Sequence, residues 1–316
     1  MINELETLQE AIQYFSDADR CLRYLAAKRW PDGVVVCPTC GSTAVGFLAN
    51  QRRWQCSNRH PLRQFSIKVG TVMEDSPLPL EKWMPAIWLI TNCKNGISSW
   101  EIHRALGVTQ KTAWFMLHRI RLGLQGKEGG KLSGEVEVDE TFIGGKARNM
   151  HKDKRAQRIT GTGGKDKTIV MGMVERGGKV RAMVVSERNK KELQKEIRGH
   201  IEAGSAIFSD ELKSYDGLEA DYQHAVIDHA IEYVNGNVHT NTMENFWSLL
   251  KRGLHGTYVS VEPFHLFRYI DEQAFRYNNR EGMKDGDRFR LAVSQIVGKR
   301  LTYAELTGKV GETTSN

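Results

Sequence analysis

Apolar residues change their period several times along the 316-residue chain, and each change predicts a different element. Over the first 30 residues Leu5, Leu8, Ile12 and Phe15 recur at helical spacing, which predicts an amphipathic helix. Trp30-Pro31-Asp32-Gly33 reads as a turn, and a short cysteine-containing module runs on to about Thr71. Helical periodicity returns from Leu80 to about Leu124 and stops at a Gly/Lys/Ser run, Gly126 to Gly134, that reads as a linker. Beyond it the texture changes to strands at Glu135–Phe142, Thr168–Glu175 and Lys179–Ser186, a helix at Lys190–Ile201 and a strand at Ala206–Ser209. A further strand near Ala225–Ile227 precedes helices at about Asn241–Arg252 and Pro263–Asn278, and the polar end of the chain is expected to fray. The expected divisions are residues 1–30, 31–72, 73–125, 134–283 and a tail at 284–316.

Composition narrows the class. The chain is 40% hydrophobic and 26% charged, enough to bury an ordinary core. Its longest apolar stretch, Ala86 to Ile90, is far short of the roughly 20 residues that span a bilayer. The start, MINELETLQEAIQYF, has neither the basic region nor the apolar block of a signal peptide, so a cytoplasmic protein is expected, without a membrane partner. Net charge is +7, and the segment from Lys146 to Lys167 alone carries eight basic residues against two acidic ones. A solvated loop would look like this, and so would an arm that contacts phosphates, with Lys152, Lys154 and Arg155 at its centre.

Three of the five cysteines fall between Cys37 and Cys56, which argues for a metal rather than a disulfide framework. Cys37-Pro-Thr-Cys40-Gly41 is a knuckle whose proline and glycine turn two thiolates toward one ion. Cys56 and His60 follow an aromatic–basic strand and complete the four N or S ligands that zinc takes tetrahedrally. Buried free thiols are the alternative. Such a closed site is structural and contributes folding energy. Cys21 and Cys93, isolated in helical patterns, read as core.

The run Ser98 to Trp114 has the grammar of a helix-turn-helix. Ser98 with Glu101 forms a capping box, Gly107 ends the first helix and Thr109 caps the second. Trp114, Leu117 and Ile120 are expected to face inward, leaving Gln110, Lys111 and Arg119 for base edges and phosphates of DNA. A plain scaffold helix pair would read the same way.

In Val136-Glu137-Val138-Asp139-Glu140 the valines share one strand face and Glu137 and Asp139 the other. Asp210 ends a later buried strand, and Glu244 lies on a helix that continues to Lys251. Acids on a first strand, a later central strand and a following helix are the layout of an RNase H-like nuclease. Three crowded carboxylates repel, and bound magnesium (or manganese) makes the cluster tolerable and can drive phosphoryl displacement. Spacing leaves Glu137, Glu140 and Glu211 as substitutes for their neighbours, and Asp271 and Glu272 as competitors of Glu244.

Taken in order, CPTCG, WQCSNRH, QFSIKVGT, KNGISSWEIHRALGVTQKTAWFMLHRIR, VEVDETFIGGK, FSDELKSY, HTNTMENFWSLLKRGLHGTY and FRYNNR resemble the zinc-ribbon DDE transposases of bacterial insertion sequences, the ISXO-like group. The resemblance runs from about Cys37 to Arg280. It implies a multidomain chain: a zinc ribbon and helix-turn-helix, then an α/β RNase H-like catalytic domain with a mixed sheet. It further implies that Asp139, Asp210 and Glu244 bind catalytic magnesium, with Lys251 as the basic follower, and that Cys37, Cys40, Cys56 and His60 bind zinc. The implied partners are element ends and target DNA, held by a homo-oligomer in the nucleoid. A non-catalytic DNA-binding regulator derived from such a transposase is the rival reading.

Overall fold

The computed structural model describes residues 5–126, 129–145, 167–210, 213–227 and 239–309, with Asp153. In chain order the elements are α1 (Leu8–Phe15), α2 (Ala18–Arg29), β1 (Val45–Leu48), β2 (Arg53–Cys56), β3 (Gln64–Phe65), α3 (Leu80–Asn92), α4 (Ser99–Leu106) and α5 (Gln110–Leu124). They continue with β4 (Glu135–Ile143), β5 (Thr168–Glu175), β6 (Val180–Val185), α6 (Lys190–His200), β7 (Ala206–Asp210), β8 (Gln223–Ile227), α7 (Asn241–Arg252), α8 (Leu266–Asn278), α9 (Asp285–Gln295) and α10 (Tyr303–Leu306). The chain forms two units, Met1–Gly126 with Asn279–Asn316, and Lys127–Asn278. Among the described residues no helix is long and apolar enough to cross a membrane.

In the first unit the single helix expected over residues 1–30 is two. Asp17 leaves helical geometry and its carboxylate accepts the Arg20 N–H, starting α2 afresh. The break turns Ala11 and Phe15 inward and leaves Ile12 49% exposed. The tail expected from residue 284 is corrected as well, because α9 folds back into this unit. Its Phe289 is fully buried against Phe15, Tyr24 and Trp88, so an aromatic cluster joins the two ends of the chain. Past α9, the Lys299 ammonium donates to the carbonyls of Leu122, Gly123 and Gln125 and satisfies the end of α5.

The second unit is a five-stranded sheet in the order β6-β5-β4-β7-β8. Strands β4, β7 and β8 run parallel, whereas β5 and β6 are antiparallel to their neighbours. Strict alternation splits it into two apolar faces. On one, Val136, Val138, Met171 and Ile207 pack with Leu193 and Ile197 of α6. On the other, Val170 and Val174 pack with Met243, Phe246 and Trp247 of α7 and Ile270 of α8. This mixed sheet between helices is consistent with an RNase H-like domain, and it sets Asp139 under α7.

Candidate functional site

The ribbon site is built locally. Cys37 and Cys40 stand in a turn before β1, where Gly41 at φ +71° donates its N–H to the Cys37 carbonyl. The antiparallel β1–β2 pair then brings Cys56, opposite Val45, back to that turn. The His60 Nδ1–H donates to the Pro61 carbonyl at 2.6 Å, which fixes the tautomer and leaves Nε2 toward the sulfurs. All four ligand atoms lie within 4.8 Å of one another. Zn–S bonds of about 2.3 Å at tetrahedral angles put sulfurs about 3.8 Å apart and a sulfur about 3.5 Å from nitrogen. The Cys40–Cys56 and Cys37–His60 separations are 3.6 and 3.5 Å, so the set fits zinc. Burial pushes the Cys37 thiol up, but the N–H groups of Cys40 and Thr39 outweigh it and bring it down to about 7.

Helices α4 and α5 make the expected pair: the Ser98–Glu101 capping box is present, and Gly107 ends α4 in left-handed geometry. Lys111 is exposed and Gln110 half-buried, its amide donating to the Ser99 hydroxyl. Arg119 is a correction. It is 5% exposed and its Nε donates to the Leu301 carbonyl at 3.0 Å, because the returning chain after α9 covers that side of α5.

In the second unit, alternation puts Glu137 and Asp139 of β4 on the face beneath α7. Phe208 of β7 pairs with Glu137, so Asp210, two residues on, shares that face with Asp139. Each Asp139 oxygen is held once: Oδ1 accepts the Glu140 N–H at 2.8 Å and Oδ2 accepts the Trp247 indole N–H at 2.9 Å. Burial first, and then the charges of Asp210 and Glu244, push Asp139 up to about 6 against those two hydrogen bonds. Glu244 is exposed on α7, with Lys251 half-buried two turns along. Asp139 thus feels the charge of each of the other two acids, although among the described residues the three do not gather as tightly as the ribbon ligands do.

Glu137 has a different task. It is fully buried and accepts the Met243 N–H and the Thr242 hydroxyl, each at 2.9 Å, and the Arg176 Nε–H at 2.8 Å. Helix α7 has no side-chain cap of its own at Thr240, so a carboxylate from the sheet caps it instead. Gly172 of β5 sits opposite Asp139 in register, and a Cβ there would meet Met243 at 2.4 Å and Trp247 at 2.6 Å. The missing side chain is what lets α7 lie on the sheet with its indole over Asp139. On the other sheet face Glu140 accepts from the Tyr215 hydroxyl, and burial with the charges of Asp210 and Asp139 pushes it up to about 8.

Residues 131–278 match the family described as ISXO2-like transposase domain, and residues 16–58 match the transposase zinc-ribbon domain. Two segments of the chain are thus similar, in this order, to a transposase zinc ribbon and a transposase domain. A Halobacterium salinarum protein, described as an uncharacterized protein in transposable element ISH50, is 28% identical over 86% of this chain and 97% of its own length. An uncharacterized transposase-like protein of Haemophilus influenzae is 29% identical over 33% of this chain and 84% of its own. A chain from a simian T-cell lymphotropic virus intasome structure aligns at 14% identity over 62% of this chain and 70% of that one, with a TM-score of 0.29, too low to carry an argument.

Within the transposase domain, β4, β7 and α7 bring Asp139, Asp210 and Glu244 to one side of the sheet, whereas Glu137 and Glu140 are engaged elsewhere. Asp271 lies on α8, as does Glu272, which is fully buried and paired with Arg276. Glu211, Lys152, Lys154 and Arg155 lie outside the described residues. Sequence reasoning missed Gly172 and the cap by Glu137. A lone glycine in the apolar run TIVMGMVE was the available signal, since glycine inside a strand marks a close approach.

Proposed function

We propose that this transposase-family chain binds the ends of its own element and cuts and rejoins them in a metal-dependent reaction. The observation that supports this most is that Asp139 of β4 shares a sheet face with Asp210 of β7 beneath α7, the helix that carries Glu244, and that the charges of both push Asp139 up. An all-carboxylate donor set suits magnesium or manganese, which prefer oxygen, and these three residues would hold it. A bound pair of such ions supplies activation of an attacking hydroxyl and charge neutralisation at the leaving oxygen.

The chain's own residues do the rest. The Trp247 and Glu140 N–H groups orient the Asp139 carboxylate with a lone pair left on each oxygen. Lys251 is aligned with Glu244 along α7 and takes a DNA phosphate. Lys111 and Gln110 at the start of α5 meet the element end, and Lys152, Lys154 and Arg155 add phosphate contacts. Water as nucleophile frees a 3′-hydroxyl, which then attacks target DNA. Two ends joined in one event require at least a dimer on DNA.

Purified protein with magnesium and end-containing DNA should nick at the element boundary. Asp139→Ala, Asp210→Ala and Glu244→Ala should each lower nicking by at least about 10³-fold while end binding persists. Nicking that survives in all three discards the site. Binding without nicking by the unaltered protein favours the regulator, and nicking without joined products favours a nuclease.

A further inference from the structure

The first unit contains a cavity of about 220 Å³ against the face of α5 that carries Lys111, Phe115 and Arg119, at i, i+4 and i+8. Leu78, Trp83 of α3 and Tyr303 of α10 close the other side. The lining is mostly aromatic and aliphatic, and its charged members are two cations with no carboxylate among them. Lys111 Nζ lies 5.0 Å from the Tyr303 ring centre, and the Arg119 guanidinium 4.5 Å from that of Phe115. The Nε bond to Leu301 pins the Arg119 fork at 5% exposure. Trp83 is 1% exposed, and its indole N–H has no hydrogen-bond partner among the described residues. Tyr303, by contrast, is 42% exposed at the mouth. The acidic side chains close by, Asp75 and Glu74, are engaged by Arg300 at 2.6 and 3.5 Å.

Such a site offers donors, cations and ring faces, and no acid. A planar ring carrying acceptors and linked to an anion satisfies all three. The volume is below the roughly 300 Å³ at which drug-sized pockets begin, so it suits one ring system rather than a large molecule. Its position on the helix proposed to meet DNA supplies such a group, since a nucleotide outside the stack presents a base on a phosphate tether.

We propose that this cavity holds the base of one unpaired nucleotide of bound DNA, stacked on the exposed Tyr303 ring, with its phosphate beside Lys111. The inference rests on the DNA-binding reading above and adds a subsite for an unstacked base. It explains why the Tyr303 ring of α10 stays 42% exposed beside Lys111 of α5.

The test uses the full-length protein and two duplexes of one sequence, one blunt and one with a single unpaired terminal 2-aminopurine. The unpaired form should bind about tenfold tighter, with quenching of the 2-aminopurine emission on binding. Tyr303→Ala should erase both the tenfold difference and the quenching while leaving the affinity for the blunt duplex in place, and Tyr303→Trp should keep them. A difference that survives Tyr303→Ala, or that is absent from the unaltered protein, overturns the proposal. Saturable binding of adenosine monophosphate alone also overturns it, by assigning the cavity to a free nucleotide. If neither duplex binds, the DNA reading itself has failed, a result distinguishable from blunt binding without a preference.

Discussion

The ribbon and the acidic cluster are both candidate metal sites, and they are assembled in opposite ways. Between Cys37 and His60 a turn and one hairpin gather four ligand atoms within 4.8 Å. Asp139, Asp210 and Glu244 come instead from two strands and a helix, and nothing local brings them together. Their placement depends on contacts that are not ligands: a glycine gap in β5, a buried carboxylate under α7 and an indole N–H on Asp139. A locally built site fails when a ligand is lost. A site built by packing also fails when its supports are lost, even with every ligand intact.

The largest effect belongs to the ribbon. Structural zinc contributes on the order of 10–16 kcal/mol of apparent binding energy to such modules. Cys56→Ser should therefore release the zinc and open residues 31–72 to protease, while the strand signal of the second unit in circular dichroism persists. Loss of that signal too would mean that the units do not fold separately.

Removing the Glu137 carboxylate should come next. Glu137→Ala leaves the start of α7 without its acceptor and takes one carboxylate from Arg176, which keeps Glu135 and the His239 carbonyl, a loss of about 1–3 kcal/mol. Chemical denaturation checks it, and a change under 1 kcal/mol would show that α7 is held by its apolar face alone. Gly172→Ala should cost about 1–3 kcal/mol by overpacking against Met243 and Trp247, and should lower nicking although no ligand is touched. Unchanged nicking in that variant would remove the support role from the comparison.

The smallest effect is a pH dependence. Glu140 rises from an ordinary 4.5 to about 8, so the proton is held more tightly in the folded state. Its stabilisation is complete below about 4.5 and is lost as pH climbs through about 8. Glu140→Gln should flatten that decline and raise the melting temperature at pH 8 by about 2–4 °C per kcal/mol recovered, in buffer free of magnesium. A parallel decline in both proteins would exclude Glu140 as its source.

The same contrast governs what could be read from the chain. The knuckle and the C-x3-H pair declare themselves because ligands and turn residues are neighbours in sequence. The strand alternation placed Glu137 beside Asp139 and stopped there. Which of the two is covered depends on α7, more than a hundred positions later. Arg119 failed for a related reason. Its helix shows an apolar face that residues 113–120 fulfil, but the second cover comes from Leu301 and Tyr303 at the far end of the chain. Local periodicity describes one partner of a helix and is silent about a second. The expected tail hid the same fact, since Phe289, Ala292 and Val293 carry helical spacing that only a returning chain can bury.

Because the first unit is completed by residues 279–316, it is interrupted by the whole of the second. On a ribosome adding about 5–20 residues each second, Phe289 emerges many seconds after the aromatic partners that wait for it. The second unit can close first, while the module that holds the ribbon matures last. A polypeptide cut short by a stop codon before Phe289 would keep all three acids yet leave Phe15, Tyr24 and Trp88 without the ring that covers them.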